Sequence, residues 1–221
     1  KYMTAKEEDI LTSTNLINQG VVITKLLESV IANQKVKLND MLIGDKNALM
    51  VGTRVLGYGK DYEIMLTDPD TNERVEYTVD LTTLKHKEID TSLFKNGNKF
   101  EFELPNSKRV IGFKLLTQKD ENEIEKILKG YEKAEELTGI SYSLTTRLKY
   151  QIHSVDENKE QTIIDNFVDN EFLALDTRAF RKHLDKIIPD IELKFDYTSQ
   201  TGNLHTLDVP LGIDFFWPAA I

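Results

Sequence analysis

The sequence has no cysteine among its 221 residues. This absence excludes disulfide scaffolds, thiolate catalysis and cysteine-ligated zinc, and it fits a reducing compartment. No apolar run approaches the roughly 20 residues that a membrane-spanning helix needs, so we expect no membrane partner. Tryptophan is nearly absent as well, since the single one lies at position 217.

Charge and composition limit the function further. The formal net charge is −9, whereas a general nucleic-acid binder needs a basic face to neutralise phosphates. We therefore expect no nucleic-acid partner and read the charge as an aid to solubility. The hydrophobic content of 40% supports a buried core in one compact domain or two small ones.

Apolar residues at helical spacing predict several amphipathic helices. The first follows a capping box in which Thr4 is the N-cap and Glu7 reaches back, and it should run from Ala5 to Leu16. The others are predicted over about 22–33, 45–57, 117–137, 143–152, 159–170 and 175–188. In the helix over 117–137, the predicted apolar stripe is Ile124, Ile127, Leu128 and Tyr131.

Alternating residues predict strands in three regions. Residues 62–66 and 75–81 flank an Asp/Pro/Asn turn, residues 100–104 and 110–115 form a second pair, and strand-like sequence resumes at Ile191. The stretch YEIMLTDPDTNERVEYTVDL (62–81) resembles IELKFDYTSQTGNLHTLDVPL (191–211). A lone hairpin is marginally stable in water, so we expect these two similar hairpins to be adjacent.

These elements predict the α+β class, with helices packed around small antiparallel β-hairpins. We expect one domain over residues 1–221. A possible subdivision separates 1–116, with helices and hairpins, from 117–221, with helices and the C-terminal hairpin.

No pattern in the chain is typical of a catalytic or metal site. Asp68-x-Asp70-x-Asn72 begins like a calcium loop, but Glu73 and Val79 stand where the glycine and the bidentate Glu are required. The stretch GYGKDY leads into a strand, unlike a phosphate loop, and we read its glycines as a helix stop. The histidines at 86, 153, 183 and 205 show no ligand spacing. We expect no enzyme, no cofactor and no metal.

The C-terminal stretch DVPLGIDFFWPAAI is unusually apolar for a chain end. We expect Ile213 and Phe215 to lie in the core. Aromatic residues are enriched at binding hot spots, so the expected partner-binding residues are Phe216, Trp217, Pro218 and Ile221.

Four stretches carry a resemblance to a known family: MTAKEEDIL, LIGDKNALMVGTRVLGYGKDYEI (42–64), DTRAFRKHLDKIIPDIELKFDYT (176–198) and the closing DVPLGIDFFWP. With them the chain resembles the baseplate hub proteins of T-even-type contractile-tailed phages. In many of those relatives both hairpin turns carry Cys-Pro-x-Cys, a zinc-knuckle pattern. Here no thiolates remain, so the resemblance implies a metal-free zinc-ribbon-like pair of hairpins.

The resemblance implies a structural component of the baseplate hub region in the virion tail, present in the host cytoplasm during assembly. It would bind other hub or wedge proteins, in multiple copies of a symmetric assembly. One alternative is an assembly chaperone that is absent from the mature virion. A second is a zinc-ribbon-derived nucleic-acid-binding regulator. Its basic stripe would be Arg178, Arg181, Lys182 and Lys186, interrupted by Asp176 and Asp185.

Overall fold

The structure is a computed structural model that describes residues 1–211 and 213–216. It confirms the α+β class, since the described residues form helices and small antiparallel sheets. The helices are α1 (Ala5–Leu11), α2 (Thr14–Asn18), α3 (Val22–Val30), α4 (Ile43–Tyr58), α5 (Gln118–Thr138), α6 (Ser143–Gln151), α7 (Gln161–Asn166) and α8 (Ala174–Ile187). The strands are β1 (Asp61–Thr67), β2 (Arg74–Asp80), β3 (Phe100–Glu103), β4 (Val110–Phe113), β5 (Ile152–Val155), β6 (Lys194–Thr198) and β7 (Leu204–Asp208).

The chain divides into two compact units. The first unit comprises Lys1–Leu38, Gly44–Lys87 and Asp190–Ile221, and the second comprises Asn39–Ile43 and Glu88–Pro189. The subdivision predicted after residue 116 falls inside the second unit. That a single domain covers the whole chain stays a prediction.

In the first unit, α1 packs against α3 and two hairpins form separate two-stranded sheets, β1–β2 and β6–β7. The predicted capping box at Thr4 and Glu7 is confirmed. The predicted helix over 5–16 is interrupted, however, because α1 ends at Leu11 and α2 begins at Thr14. The hydroxyl of Thr12 donates to the carbonyl of Glu8 (3.0 Å), a local bond of the kind that competes with helix continuation.

Of the two glycines that were predicted to stop helix α4, Gly57 lies inside the helix, which ends at Tyr58. The chain leaves the helix at Gly59, whose φ of +87° suits a residue without a Cβ. Gly57 is small for another reason. A Cβ at this position would lie 2.7 Å from the sulfur of Met3, so the glycine permits close packing of the N-terminal segment.

The second unit is built on a three-stranded sheet in the order β3–β4–β5, in which both pairs are antiparallel. The hairpin β3–β4 was predicted, whereas β5 was not, since its four residues follow directly on α6. Phe113 and Phe180 are fully buried, and their rings meet edge to face at 4.9 Å. The imidazole of His183 stacks on Phe102 with ring centroids 4.5 Å apart. Helices α6, α7 and α8 add Leu148, Ile164, Leu184 and Ile187 to this core, and the sheet with its flanking residues and the segment after α7 supply the rest.

Candidate functional site: two hairpin turns joined by carboxylates

The two similar hairpins of the first unit lie side by side. The segment after β2 pairs with the segment before β6 through an antiparallel bridge between His86 and Ile191. Further along, Tyr77 on β2 stacks on Phe195 with a centroid distance of 5.4 Å and meets Tyr197 edge to face at 5.2 Å. The predicted adjacency is therefore present, and aromatic contacts of this geometry stabilise it.

Asp68 joins the two turns from a fully buried position in the first one. Its Oδ1 accepts hydrogen bonds from the backbone N–H groups of Asp70 (2.8 Å) and Thr71 (3.1 Å), which closes its own turn. Its Oδ2 accepts from the Tyr197 hydroxyl (2.7 Å) and from the Gln200 N–H (2.9 Å) on the other hairpin. One carboxylate thus organises one turn and holds the next.

The carboxylate of Asp70 forms hydrogen bonds with side chains along the second turn. Its Oδ2 accepts from the hydroxyls of Ser199 and Thr201 and from the amide of Asn203 (3.0 Å). Its Oδ1 lies 3.1 Å from Nε2 of His205. Hydrogen bonds to an ionised acceptor are stronger than neutral ones, so this carboxylate is well suited to hold the second turn in place.

The protonation states agree with this arrangement. The N–H of Gln200 is the main cause that lowers the pKa of Asp68 to about 2, and it outweighs the opposing effect of burial. The hydroxyl of Ser199, followed by that of Thr201, lowers the pKa of Asp70 below its usual range. Donation to Asp68 raises the pKa of Tyr197 to about 12. Both carboxylates are therefore ionised at neutral pH while Tyr197 keeps its proton.

The zinc site that the family resemblance implies for relatives does not fit these residues. Thiolates are absent, and the oxygen atoms at the turns already accept hydrogen bonds from the protein. Across residues 1–211 and 213–216, no group of three or more His, Cys, Asp or Glu side chains could hold a metal ion. The calcium-loop resemblance is a turn, closed by the Asn72 N–H bond to the Asp68 carbonyl (2.9 Å).

The residues predicted at the C-terminus are only partly described. Phe215 is fully buried, as expected, and its ring meets Tyr62 edge to face at 5.0 Å. Phe216 was expected at a partner surface, but it too is fully buried and packs edge to face on Phe215 at 5.2 Å. Trp217, Pro218 and Ile221 lie outside the described residues, so their partner-binding role stays a prediction.

The sequence contained a signal for the carboxylate bridge, but the Asp-rich stretch was interpreted only as an Asp/Pro/Asn turn after the calcium loop had been rejected. An Asp-rich turn in one hairpin and a Ser/Thr/Asn-rich turn in the other are complementary as acceptor and donors. Since the two turns lie about 130 residues apart in sequence, their contact becomes visible only in the fold.

The polar side chains between the two turns are used for internal hydrogen bonds, and the function of the chain is better indicated by its family. A family model described as T4 bacteriophage base plate protein matches residues 1–217. The chain therefore belongs to the T4 baseplate protein family, which places it in the phage tail. No curated protein and no solved structure matches it. None of the described helices is long and apolar enough to cross a membrane.

Proposed function

We propose that the protein is a structural subunit of the baseplate hub region that remains in the finished particle and acts by protein–protein binding rather than catalysis. The observation that carries this proposal is the baseplate family match, which extends across both units. The four stretches that resemble hub proteins favour the hub over other parts of the baseplate. Neighbouring hub or wedge proteins would be its partners, and several copies would take symmetric positions.

The structure suggests how such a subunit would work. A binding surface that is already ordered before its partner arrives loses less conformational entropy on binding, and this increases the affinity. The hairpin pair of the first unit is held by two ionised carboxylates and an aromatic cluster. A hairpin pair that is held in this way could present an ordered binding surface to neighbouring subunits. This property suits a particle that assembles in the host cytoplasm and then functions outside it.

The structure gives little support to the alternative that the protein is a nucleic-acid-binding regulator. Arg178, Arg181, Lys182 and Lys186 are exposed on α8, and exposed Asp185 lies among them. Asp176 does not interrupt the stripe, contrary to the sequence expectation. It is fully buried and accepts hydrogen bonds from the N–H groups of residues 106 and 107. Four cations around a carboxylate form a weak phosphate-binding face in a chain of net charge −9.

Quantitative mass spectrometry of mature virions and of separated baseplate intermediates tests the proposal. A stoichiometric amount in mature virions, at a copy number that matches a symmetric position, is the expected result. Presence in intermediates alone would indicate that the protein is an assembly chaperone and not a structural subunit. Absence from both preparations would refute a baseplate role for the protein.

A further inference from the structure

Strand β5 of the second unit carries a β-bulge at His153. In the antiparallel pairing of β4 with β5, Gly112 lies opposite Ser154 and Phe113 lies opposite Ile152, so His153 is an extra residue without a partner on β4. A bulge of this kind interrupts the ladder and redirects the side chain that it carries. The imidazole of His153 therefore points where a regular strand would not direct it.

Gly112 makes room for this imidazole. A Cβ on Gly112 would lie 2.7 Å from Cε1 of His153 and 3.1 Å from its Nδ1. A larger residue on β4 at this position would therefore displace the ring. The bulge and the glycine together form a slot for one histidine ring, which we call the His153 slot.

The slot accommodates a neutral ring better than a charged one. Nε2 of His153 is buried and has no hydrogen-bond partner among the described residues. A protonated imidazole carries an N–H donor on both nitrogens, so one donor would be buried without an acceptor. A buried polar atom without a partner costs free energy, and a buried charge costs more.

The charges around the ring do not compensate this cost. Burial is the main cause that lowers the pKa of His153, and Lys159 and Lys99 lower it further, against a hydrogen bond to its own backbone and the carboxylate of Glu101. His153 also lines a cleft between α5, α6, β5 and α7, whose other charged side chains are Lys114, Lys149, Lys159, Asp165 and Asp169.

Most of those cleft charges already have partners. Lys149 pairs with Asp169, and Lys114 pairs with Asp120 outside the cleft lining. Asp165 accepts a hydrogen bond from the amide of Gln161 (2.8 Å).

Strand β5 is the element that a charge in the slot would release. It is an edge strand of only four residues, and it pairs with β4 alone. Beyond the ladder, its ends are held by bonds from the Lys114 N–H to the Gln151 carbonyl (2.8 Å) and from the Asp156 N–H to the Val110 carbonyl (2.7 Å). Elements with few contacts open at a lower free-energy cost than the whole fold, so β5 can separate locally.

We propose that the His153 slot makes the β4–β5 pairing sensitive to mild acid: when His153 takes up a proton from solvent, β5 separates from β4 at the bulge while the rest of the second unit stays folded. The cleft would change with it, because Ile152 and His153 of β5 form part of its wall. This inference does not depend on the proposed function, since it concerns the purified protein.

The sign of the pH dependence follows from proton linkage. Because the pKa of His153 is lowered in the closed state, its preference for that state is fully present above the ordinary histidine pKa of about 6.5 and is lost as the pH falls below it. For the uptake of one proton, the equilibrium constant for opening rises by up to about tenfold between pH 7.5 and pH 5.5.

Hydrogen–deuterium exchange followed by mass spectrometry measures this opening in the full chain, after correction for the intrinsic pH dependence of exchange. We expect the protection of amides in residues 110–114 and 152–156 to fall by about three- to tenfold between pH 7.5 and pH 5.5. Amides in α5 of the same unit should change by less than about twofold. An equal loss of protection throughout the second unit would indicate global unfolding and would overturn the inference.

Three variants assign the effect to one histidine. His153→Phe keeps a ring and removes the titration, so the pH response of β5 should disappear. His86→Gln is the matched control, since His86 is exposed in the first unit, and it should leave the response unchanged. His183→Phe should also leave it unchanged, although burial lowers the pKa of His183 as well and its ring stacks on Phe102.

A response that survives His153→Phe, or one that disappears in His183→Phe, would overturn the inference. If His153→Phe does not fold at pH 7.5, the wild-type protein still decides the question. NMR titration of the His153 imidazole in the folded protein should then give a pKa below about 6.5. A pKa at or above that value, or protection at residues 152–156 that changes by less than about twofold, would contradict the proposed role of His153.

Discussion

The aromatic pair near the C-terminus allows a direct test of the core of the first unit. Phe215→Ala removes a fully buried ring that contacts Tyr62 and Phe216. Burial of the side chain contributes about 1.5–3 kcal/mol, and the cavity left behind raises the expected cost of the substitution to about 3–5 kcal/mol. In a chain of this length, 1 kcal/mol corresponds to about 2–4 °C in Tm. We therefore expect the Tm to fall by about 6–20 °C.

Urea unfolding monitored by circular dichroism measures the change in the free energy of unfolding, and scanning calorimetry measures the Tm. Leu204→Ala is the matched control, because Leu204 belongs to the same unit but is 70% exposed, so the change should stay within about 0.5 kcal/mol. Truncation after Leu211 should cost at least as much as Phe215→Ala. Its effect will not equal the sum of two single substitutions, since the two phenylalanine rings are in contact.

The reasoning would be refuted by an unchanged Tm for Phe215→Ala, or by equal effects of the Phe215 and Leu204 substitutions. Either result would mean that the aromatic end contributes nothing to the core of the first unit. The whole C-terminal stretch would then be free for a partner.

Asp70→Asn should lower the Tm at pH 7, whereas Glu73→Gln, which changes an exposed carboxylate at the end of the same turn, should not. The folded-state pKa of Asp70 is depressed, so its contribution is present above its unfolded-state pKa of about 4 and is lost as the pH falls below that value. The Tm difference between wild type and Asp70→Asn should therefore shrink between pH 5 and pH 2.5 in scanning fluorimetry, and a constant difference would contradict the assignment. Gly112→Ala should destabilise the protein by about 1–3 kcal/mol in urea unfolding, since its Cβ would lie 2.2 Å from Oγ of Ser154. Gly130 lies on the exposed surface of α5, where a new Cβ meets nothing within 4 Å beyond its chain neighbours and its own helix backbone, so Gly130→Ala should instead stabilise the protein by about 0.4–1 kcal/mol. Equal effects of the two changes would rule out the close contact at Gly112.

Local pattern was sufficient for most of the secondary structure. Helical spacing predicted the positions of α3, α5 and α8, and alternation predicted the hairpins β1–β2 and β3–β4. Such patterns record which side of an element is buried, and each is contained in a short window of sequence. They were less informative at β5, where four residues are too few to show a period, and at Thr12, where a hydroxyl bond competes with the helix.

The burial of individual aromatic residues was predicted less well from the sequence. Alternation placed Phe215 inside and Phe216 outside, but residues Ile213–Phe216 form a short 3-10 helix in which both rings are buried. In α5 the apolar stripe was correctly located in the sequence. Ile124 on this stripe is fully buried, whereas Tyr131, further along the helix, lines a cleft. Periodicity identifies an apolar face, but the neighbouring elements determine whether anything covers it.

The sequence by itself determined the α+β class, the two similar hairpins, the absence of thiolate chemistry and the resemblance to baseplate proteins. These properties depend on composition or on residues close together in the chain. Only the tertiary structure decided what joins the two hairpin turns, because Asp68 and Tyr197 are 129 residues apart. A hydrogen bond between such distant residues depends on where the fold places both, and no local window of sequence contains that information.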